Sequence, residues 1–273
     1  MIQILLKPAF FFLLLAQCSF TAPTPTNILQ RVAVTGASVS AGYGLKTPPT
    51  KGNLAAYPMD FTHVMDAMIT VPHDEVGDFC DLMFFRSSRK NAAEYIQQIV
   101  AYKPTLVVGI DFLFWFGYGS VPDGIAEEEH RMEKLEFALD LLDTLEVPLL
   151  IGDLPDVREA VGRLLSQSQV PSEEILHSLN NRIHTWIDSK ENATLLPVHE
   201  YWKLMMQDKE ITVLGTTWPE GTKDRLLQKD SLHMTREGTV VSGLLVAEII
   251  GGDDFETDAT VILLKAAALA RAK

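Results

Sequence analysis

Short runs of consecutive apolar residues alternate with amphipathic stretches along most of this chain. Arg31–Thr35, Leu82–Phe85, Thr105–Ile110, Pro148–Ile151 and Thr194–Val198 read as strands. Between them, polar and apolar positions recur with a helical period. Helices are predicted over Tyr57–Ile69, Asn91–Tyr102, Ala126–Leu145, Ser172–Ser189, Glu200–Gln207 and Thr235–Ile250. Ala92, Tyr95, Ile96 and Ile99 share one face of the second, and Thr235 is a natural cap for the last. Ala259–Lys273 is an apolar-basic helix candidate that packs on the body. Continuously apolar strands joined by helices predict a parallel sheet covered on both faces. The expected architecture is α/β, a doubly wound three-layer sandwich around a five-stranded parallel sheet.

Polar residues then gather where strands end. Ser38 follows the first predicted strand, Ser87 and Ser88 the second, Asp111 the third and Asp153 the fourth. In open α/β sheets the carboxyl ends of the strands form the binding crevice.

The first residues read differently from the rest. Residues 1–22 carry Lys7 ahead of an apolar run, Ala9–Ala16, too short to span a bilayer, which is the pattern of an export signal. Leu15-Ala16-Gln17-Cys18 is similar to a lipoprotein box, with Gln17 where a small residue belongs. An uncleaved anchor is the other reading. Residues 23–30 form a short tether rich in Pro and Thr, and residues 31–273 make one domain. The expected location is periplasmic or extracellular, with lipid attachment through Cys18 as a variant. Cys80 is the one other cysteine, so the mature domain has no pair for a disulfide. A net charge of −13 argues against nucleic acid or an anionic membrane surface as a partner.

The chemistry-bearing segments lie near the two ends. Val34-Thr35-Gly36-Ala37-Ser38 is a small-residue turn after a strand, and Asp230-Ser231-Leu232-His233 sets a carboxylate three residues before a histidine. A serine hydroxyl needs an adjacent base oriented by a third group. His233 is the candidate base and Asp230 its orienter. Taken singly, a Gly-Ala-Ser turn is more often tight packing, and Asp-x-x-His is as often a helix-start carboxylate beside a surface histidine. A phosphate loop over Gly36–Gly44 is discounted, because it lacks both the Gly-Lys-Ser/Thr ending and the Gly-x-Gly-x-x-Gly spacing. A metal site from Asp111, Asp153, His199 and His233 is the remaining enzymatic alternative, without close ligand spacing. No metal or organic cofactor is expected.

These segments, with Gly109-Ile110-Asp111 between them, make the chain similar to the SGNH, or GDSL-like, hydrolases. The resemblance implies a flavodoxin-like sandwich and ester hydrolysis on a small-molecule or glycan ester, acetyl and carbohydrate esters among them. It assigns Ser38 as nucleophile, His233 as base and Asp230 as orienter. Ala37 replaces the usual aspartate. Arg86-Ser87-Ser88-Arg89 lacks the glycine whose N–H meets the oxyanion, leaving Ser87 or Ser88 to supply it. Asp111 stands where the family has an oxyanion-hole asparagine. A carboxylate there repels the developing charge; a protonated Asp111, kept neutral by apolar surroundings such as Phe112 and Phe114, would donate instead. If Asp111 lines the hole, activity is expected to be greatest with it protonated; the alternative is that Asp111 points away and another donor serves. Phe112–Tyr118 reads as buried packing first and as an acyl or sugar pocket second. The sequence thus points to an exported serine esterase, with a non-catalytic ligand-binding relative of the same fold as the alternative.

Overall fold

A computed structural model describes residues 27–50 and 54–272. The export-signal reading of residues 1–22, with Cys18, and most of the tether lie outside the described residues. In chain order the elements are β1 (Val32–Gly36), α1 (Phe61–Met68), β2 (Gly77–Cys80), α2 (Ser88–Tyr102), β3 (Leu106–Gly109), α3 (Phe114–Gly117), α4 (Glu127–Leu142) and β4 (Leu149–Gly152). There follow α5 (Glu173–Asp188), β5 (Ala193–Leu196), α6 (Val198–Met206), β6 (Ile211–Val213), β7 (Thr216–Trp218), α7 (Lys223–Leu226), α8 (Arg236–Ile250) and α9 (Ala259–Ala272).

Among the described residues, β1 to β5 form one parallel sheet in the order β2-β1-β3-β4-β5. Helices flank it, giving the flavodoxin-like three-layer sandwich. The central strands β1, β3 and β4 are buried along their whole length, which is why they are continuously apolar. Strand order reverses between β1 and β3, and the crevice at that switch point is where the loops after β1 and β3 meet.

Several element boundaries follow from local chemistry. α1 starts four residues later than its pattern suggests, because Asp60 caps it: the carboxylate accepts from the His63 N–H at 3.1 Å, and the ring answers at the Asp60 N–H. Thr235 caps α8 by accepting from the Gly238 N–H. α9 packs on α1 and α8 through Ile262, Ala266 and Ala270.

The second strand is a correction. Leu82–Phe85 is a turn leading into a 3-10 helix over Phe84–Arg86, and the strand is Gly77–Cys80. Gly77–Cys80 is an edge strand, only partly buried, so its pattern is too polar to stand out; Leu82, Met83 and Phe85 are apolar but exposed. The β6–β7 hairpin had no signal beyond Leu214-Gly215, both of which take positive φ at its turn. Among the described residues no helix is long and apolar enough to cross a membrane.

Candidate active site

β1 ends at Gly36, and the chain turns through Ala37–Tyr43 in tight hydrogen-bonded steps: Ala41 N–H to Ala37 O, Gly42 N–H to Val39 O and Tyr43 N–H to Ser38 O. Gly42 holds φ +70°, and a Cβ there would stand 2.1 Å from the Met59 carbonyl, so no side chain fits the bend. The turn presents Ser38 at the sheet's carboxyl edge.

The loop before α8 brings the base. The Ser38 hydroxyl lies 2.9 Å from His233 Nε2, and His233 Nδ1 lies 2.9 Å from Asp230 Oδ2. A carboxylate only accepts, so Nδ1 carries the ring proton and Nε2 is left to accept from the Ser38 O–H. Asp230 Oδ1 also accepts from the N–H groups of Leu232 and His233, both at 2.9 Å, which closes a small loop around the carboxylate. Ser231 sits at φ +55° within it. Burial pushes the Asp230 carboxyl up, but the hydrogen bonds from the His233 ring and from the His233 and Leu232 backbone outweigh it and hold the group below its ordinary value. His233 is 4% exposed.

Three further groups hold this arrangement, and none was evident beforehand. Tyr43 stacks on the His233 ring with centroids 4.1 Å apart and planes at 25°. Gln228 donates from Nε2 to the carbonyls of both Tyr43 (2.7 Å) and Met234 (2.8 Å), tying the serine turn to the histidine loop. Arg163 donates to the Lys229 carbonyl and, at 2.9 Å, to the Ser231 hydroxyl. Tyr43 between two glycines was the sole local cue; Gln228 and Arg163 carry none, since their roles exist only once distant segments meet.

Asp111 is 8% exposed, and both its oxygens face the serine turn. Oδ1 accepts from the Ala37 N–H at 3.0 Å and the Ser40 hydroxyl at 2.6 Å; Oδ2 accepts from the Val39 N–H at 2.8 Å and the Ser40 N–H at 3.4 Å. A Cβ on Gly36 would lie 2.1 Å from Oδ1, so the close approach needs glycine. Backbone N–H groups only donate, so Asp111 works here as an acceptor rather than as the donor expected for an oxyanion hole. Burial raises its carboxyl above the ordinary value, against the pull of the hydrogen bonds from Ser40, Val39 and Ala37. With the N–H groups of 37, 39 and 40 taken, that of Ser38 stands without a partner among the described residues.

Ser87 and Ser88 lie elsewhere. They open α2, beyond the turn and 3-10 helix that follow β2, and share neither a hydrogen bond with Ser38 or His233 nor the cavity beside them. The misread second strand had placed them at a sheet edge. The N–H of Asp81, which does follow β2, donates to the Gly36 carbonyl at 3.3 Å. The four residues of the metal alternative do not gather into a ligand set. Asp153 accepts from the His199 backbone N–H at 2.7 Å and from the His184 ring at 3.0 Å, and no group of three ligating side chains suited to a metal exists among the described residues.

A cavity of about 30 Å³ opens beside Ser38, walled by Val39, Ile110, Asp111, Phe114, Asp153, Pro155, Val157, Val198, Trp202, Leu232 and Met234. Of the aromatic run Phe112–Tyr118, Phe114 alone reaches it; Phe112, Phe116 and Tyr118 are core.

No protein-family model matches the chain, and no curated protein matches it. Among solved structures its fold is similar to that of a gut microbial diltiazem-metabolizing enzyme, with a TM-score of 0.50 and 11% sequence identity over 81% of this chain. The chain spans 47% of the length of that structure's chain, and the likeness is one of fold.

Proposed function

We propose that this chain is a serine hydrolase of the SGNH type that cleaves a carboxylic ester, with Ser38 as nucleophile, His233 as general base and Asp230 as its orienter. The observation that carries the reading is the hydrogen-bonded series from the Ser38 hydroxyl through His233 to Asp230. Attack of Ser38 Oγ on the ester carbonyl passes its proton to His233 Nε2, and Asp230 stabilises the resulting imidazolium. The imidazolium then protonates the leaving alcohol, and water activated by the same nitrogen releases the acid. The unpartnered Ser38 N–H is a donor for the oxyanion. Fold likeness to an enzyme that metabolizes diltiazem supports enzymatic use of this scaffold at a coarse level.

In this reading Asp111 shapes the nucleophile turn: by taking the neighbouring N–H groups it leaves that of Ser38 for substrate. Residues 1–22 are proposed as an export signal, which would place the domain in the periplasm or outside the cell.

A second reading, a ligand-binding protein without turnover, is favoured by one observation. Asp111 walls the Ser38 cavity, and an ionised carboxylate there opposes a developing oxyanion. Turnover of a short-chain nitrophenyl ester and labelling by a serine-reactive phosphonate separate the two. The hydrolase reading expects both to be lost in Ser38→Ala; absence of both in the unaltered protein supports binding alone. Ser40→Ala is not a neutral control, because its hydroxyl is bonded to Asp111.

A further inference from the structure

Apart from Ser38 and the carboxylates of Asp111 and Asp153, the cavity beside Ser38 is lined by apolar side chains, Ile110, Phe114, Val157, Val198 and Met234 among them, and by Trp202. Trp202, on α6, brings a further polar group. It is 2% exposed, it lines this cavity and the adjoining one of about 20 Å³, and its indole N–H has no hydrogen-bond partner among the described residues. A buried donor without an acceptor is costly, and native proteins rarely keep one unless something else satisfies it. The two carboxylates around the cavity are already engaged, Asp111 with the serine turn and Asp153 with His184 and the His199 backbone, and the free Ser38 N–H is the donor left for the oxyanion.

The position of the base decides which part of an ester enters. The leaving oxygen must take its proton from His233 Nε2, and His233 is not among the residues lining the cavity, whereas Ser38 is. The leaving alcohol therefore lies on the imidazole side and the acyl chain on the cavity side. A volume of about 30 Å³ is two to three times the ~10–15 Å³ that one water needs on the same measure, which suits a short chain.

We propose that this cavity is the acyl pocket and that the Trp202 N–H selects short acyl groups bearing an acceptor oxygen, such as an alkoxy- or oxo-acyl chain, over plain alkanoyl groups of the same size. The proposal rests on the hydrolase reading above. A site built around a donor discriminates against an analogue lacking the acceptor, because the donor is then left unpaired.

The test compares nitrophenyl esters that differ by one CH₂-to-O exchange: methoxyacetyl against butyryl, and 3-methoxypropionyl against pentanoyl. Each kcat/KM is divided by the rate of hydroxide-catalysed hydrolysis of the same ester to remove intrinsic reactivity. The expected result is a preference of about tenfold for the oxygen-bearing member of at least one pair. In Trp202→Phe the ratio between the members of each pair falls to about unity, whatever the absolute rate of either ester. A preference unchanged in Trp202→Phe, or absent in the unaltered protein, overturns the assignment and leaves Ser38-dependent hydrolysis standing. Loss of the Trp202→Phe fold, read by circular dichroism, is met by Trp202→His, whose ring N–H restores a donor and is expected to retain part of the preference; no preference there overturns the proposal. Absence of Ser38-dependent turnover on every ester removes the hydrolase reading, and the acyl assignment with it.

Discussion

Replacing Gly36 by alanine puts the central packing claim at risk. The added Cβ would stand 2.1 Å from Asp111 Oδ1 and 2.5 Å from Ser40 Oγ, where about 3.0 Å is the closest such an atom tolerates. Gly36 cannot give way, because it pairs with Cys80 in β2 and its carbonyl accepts from Asp81. Asp111 must therefore retreat by roughly 1 Å, beyond hydrogen-bonding range of both the Ala37 N–H and the Ser40 hydroxyl. Overpacking of this kind costs about 1–3 kcal/mol and each lost bond to the carboxylate about another 1 kcal/mol, for a total of about 3–5 kcal/mol. In a chain of this size that lowers the melting temperature by roughly 10 °C. Ser38 lies between two residues whose N–H groups Asp111 holds, so its hydroxyl shifts against His233. A misplacement of about 1 Å costs on the order of 100-fold in rate. Thermal unfolding followed by circular dichroism, with nitrophenyl acetate turnover on the same samples, reads both. Gly124→Ala is the control, since Gly124 has φ +80° but open space around it, and a positive φ alone costs about 1 kcal/mol. Gly36→Ala no less stable than Gly124→Ala, or active within about twofold of the unaltered protein, refutes the reasoning.

The remaining predictions concern the neighbours of this turn. Asp111→Asn exchanges one accepting oxygen for an amide that cannot accept from backbone N–H groups, so urea unfolding should show a loss of about 1–3 kcal/mol; a more stable variant contradicts the acceptor role. Because burial raises the Asp111 carboxyl, its contribution to stability is full below the unfolded value near 3.8 and declines as pH rises through the raised one, a slope that Asp111→Asn should remove. Asp230 works in the opposite sense: with its carboxyl held down, its stabilisation is present above about pH 4 and is lost as pH falls through the lowered value, so acid titrations of Asp230→Asn should lack that limb. Lys134, pushed down to about 8 by burial and by Arg131 and Arg89, should make stability rise between about pH 8 and 10.5, and Lys134→Met should flatten that rise. Gln228→Leu removes the tie between Tyr43 and Met234; turnover should fall by more than tenfold while unfolding changes by only about 1–2 kcal/mol.

How much of this was legible beforehand depended on burial. β1, β3 and β4 are covered on both faces and announce themselves as apolar runs, whereas the edge strand β2 does not. That single misreading carried Ser87 and Ser88 to a strand end they do not occupy. Ser38, Asp230 and His233 were readable because each motif is local: a turn of small residues, and a carboxylate whose loop closes within three residues. Asp111 was found but its role stayed open, since sequence shows which residue stands at a strand end but not which way its oxygens face. Gln228, Arg163 and Trp202 were unreadable. Their importance lies in partners, or in the lack of one, that only the assembled chain defines.

The Ser38–His233 contact joins residues 195 apart in the chain, and Gln228 reaches Tyr43 across 185. Ordering so distant a pair demands that nearly all the intervening strands and helices be in place first. A chain still being synthesised therefore holds a serine with no base beside it. On the hydrolase reading such a chain is inert by construction: the proposed reactivity switches on only when the last helices dock, and any truncation that removes the segment before α8 leaves an ordinary hydroxyl behind.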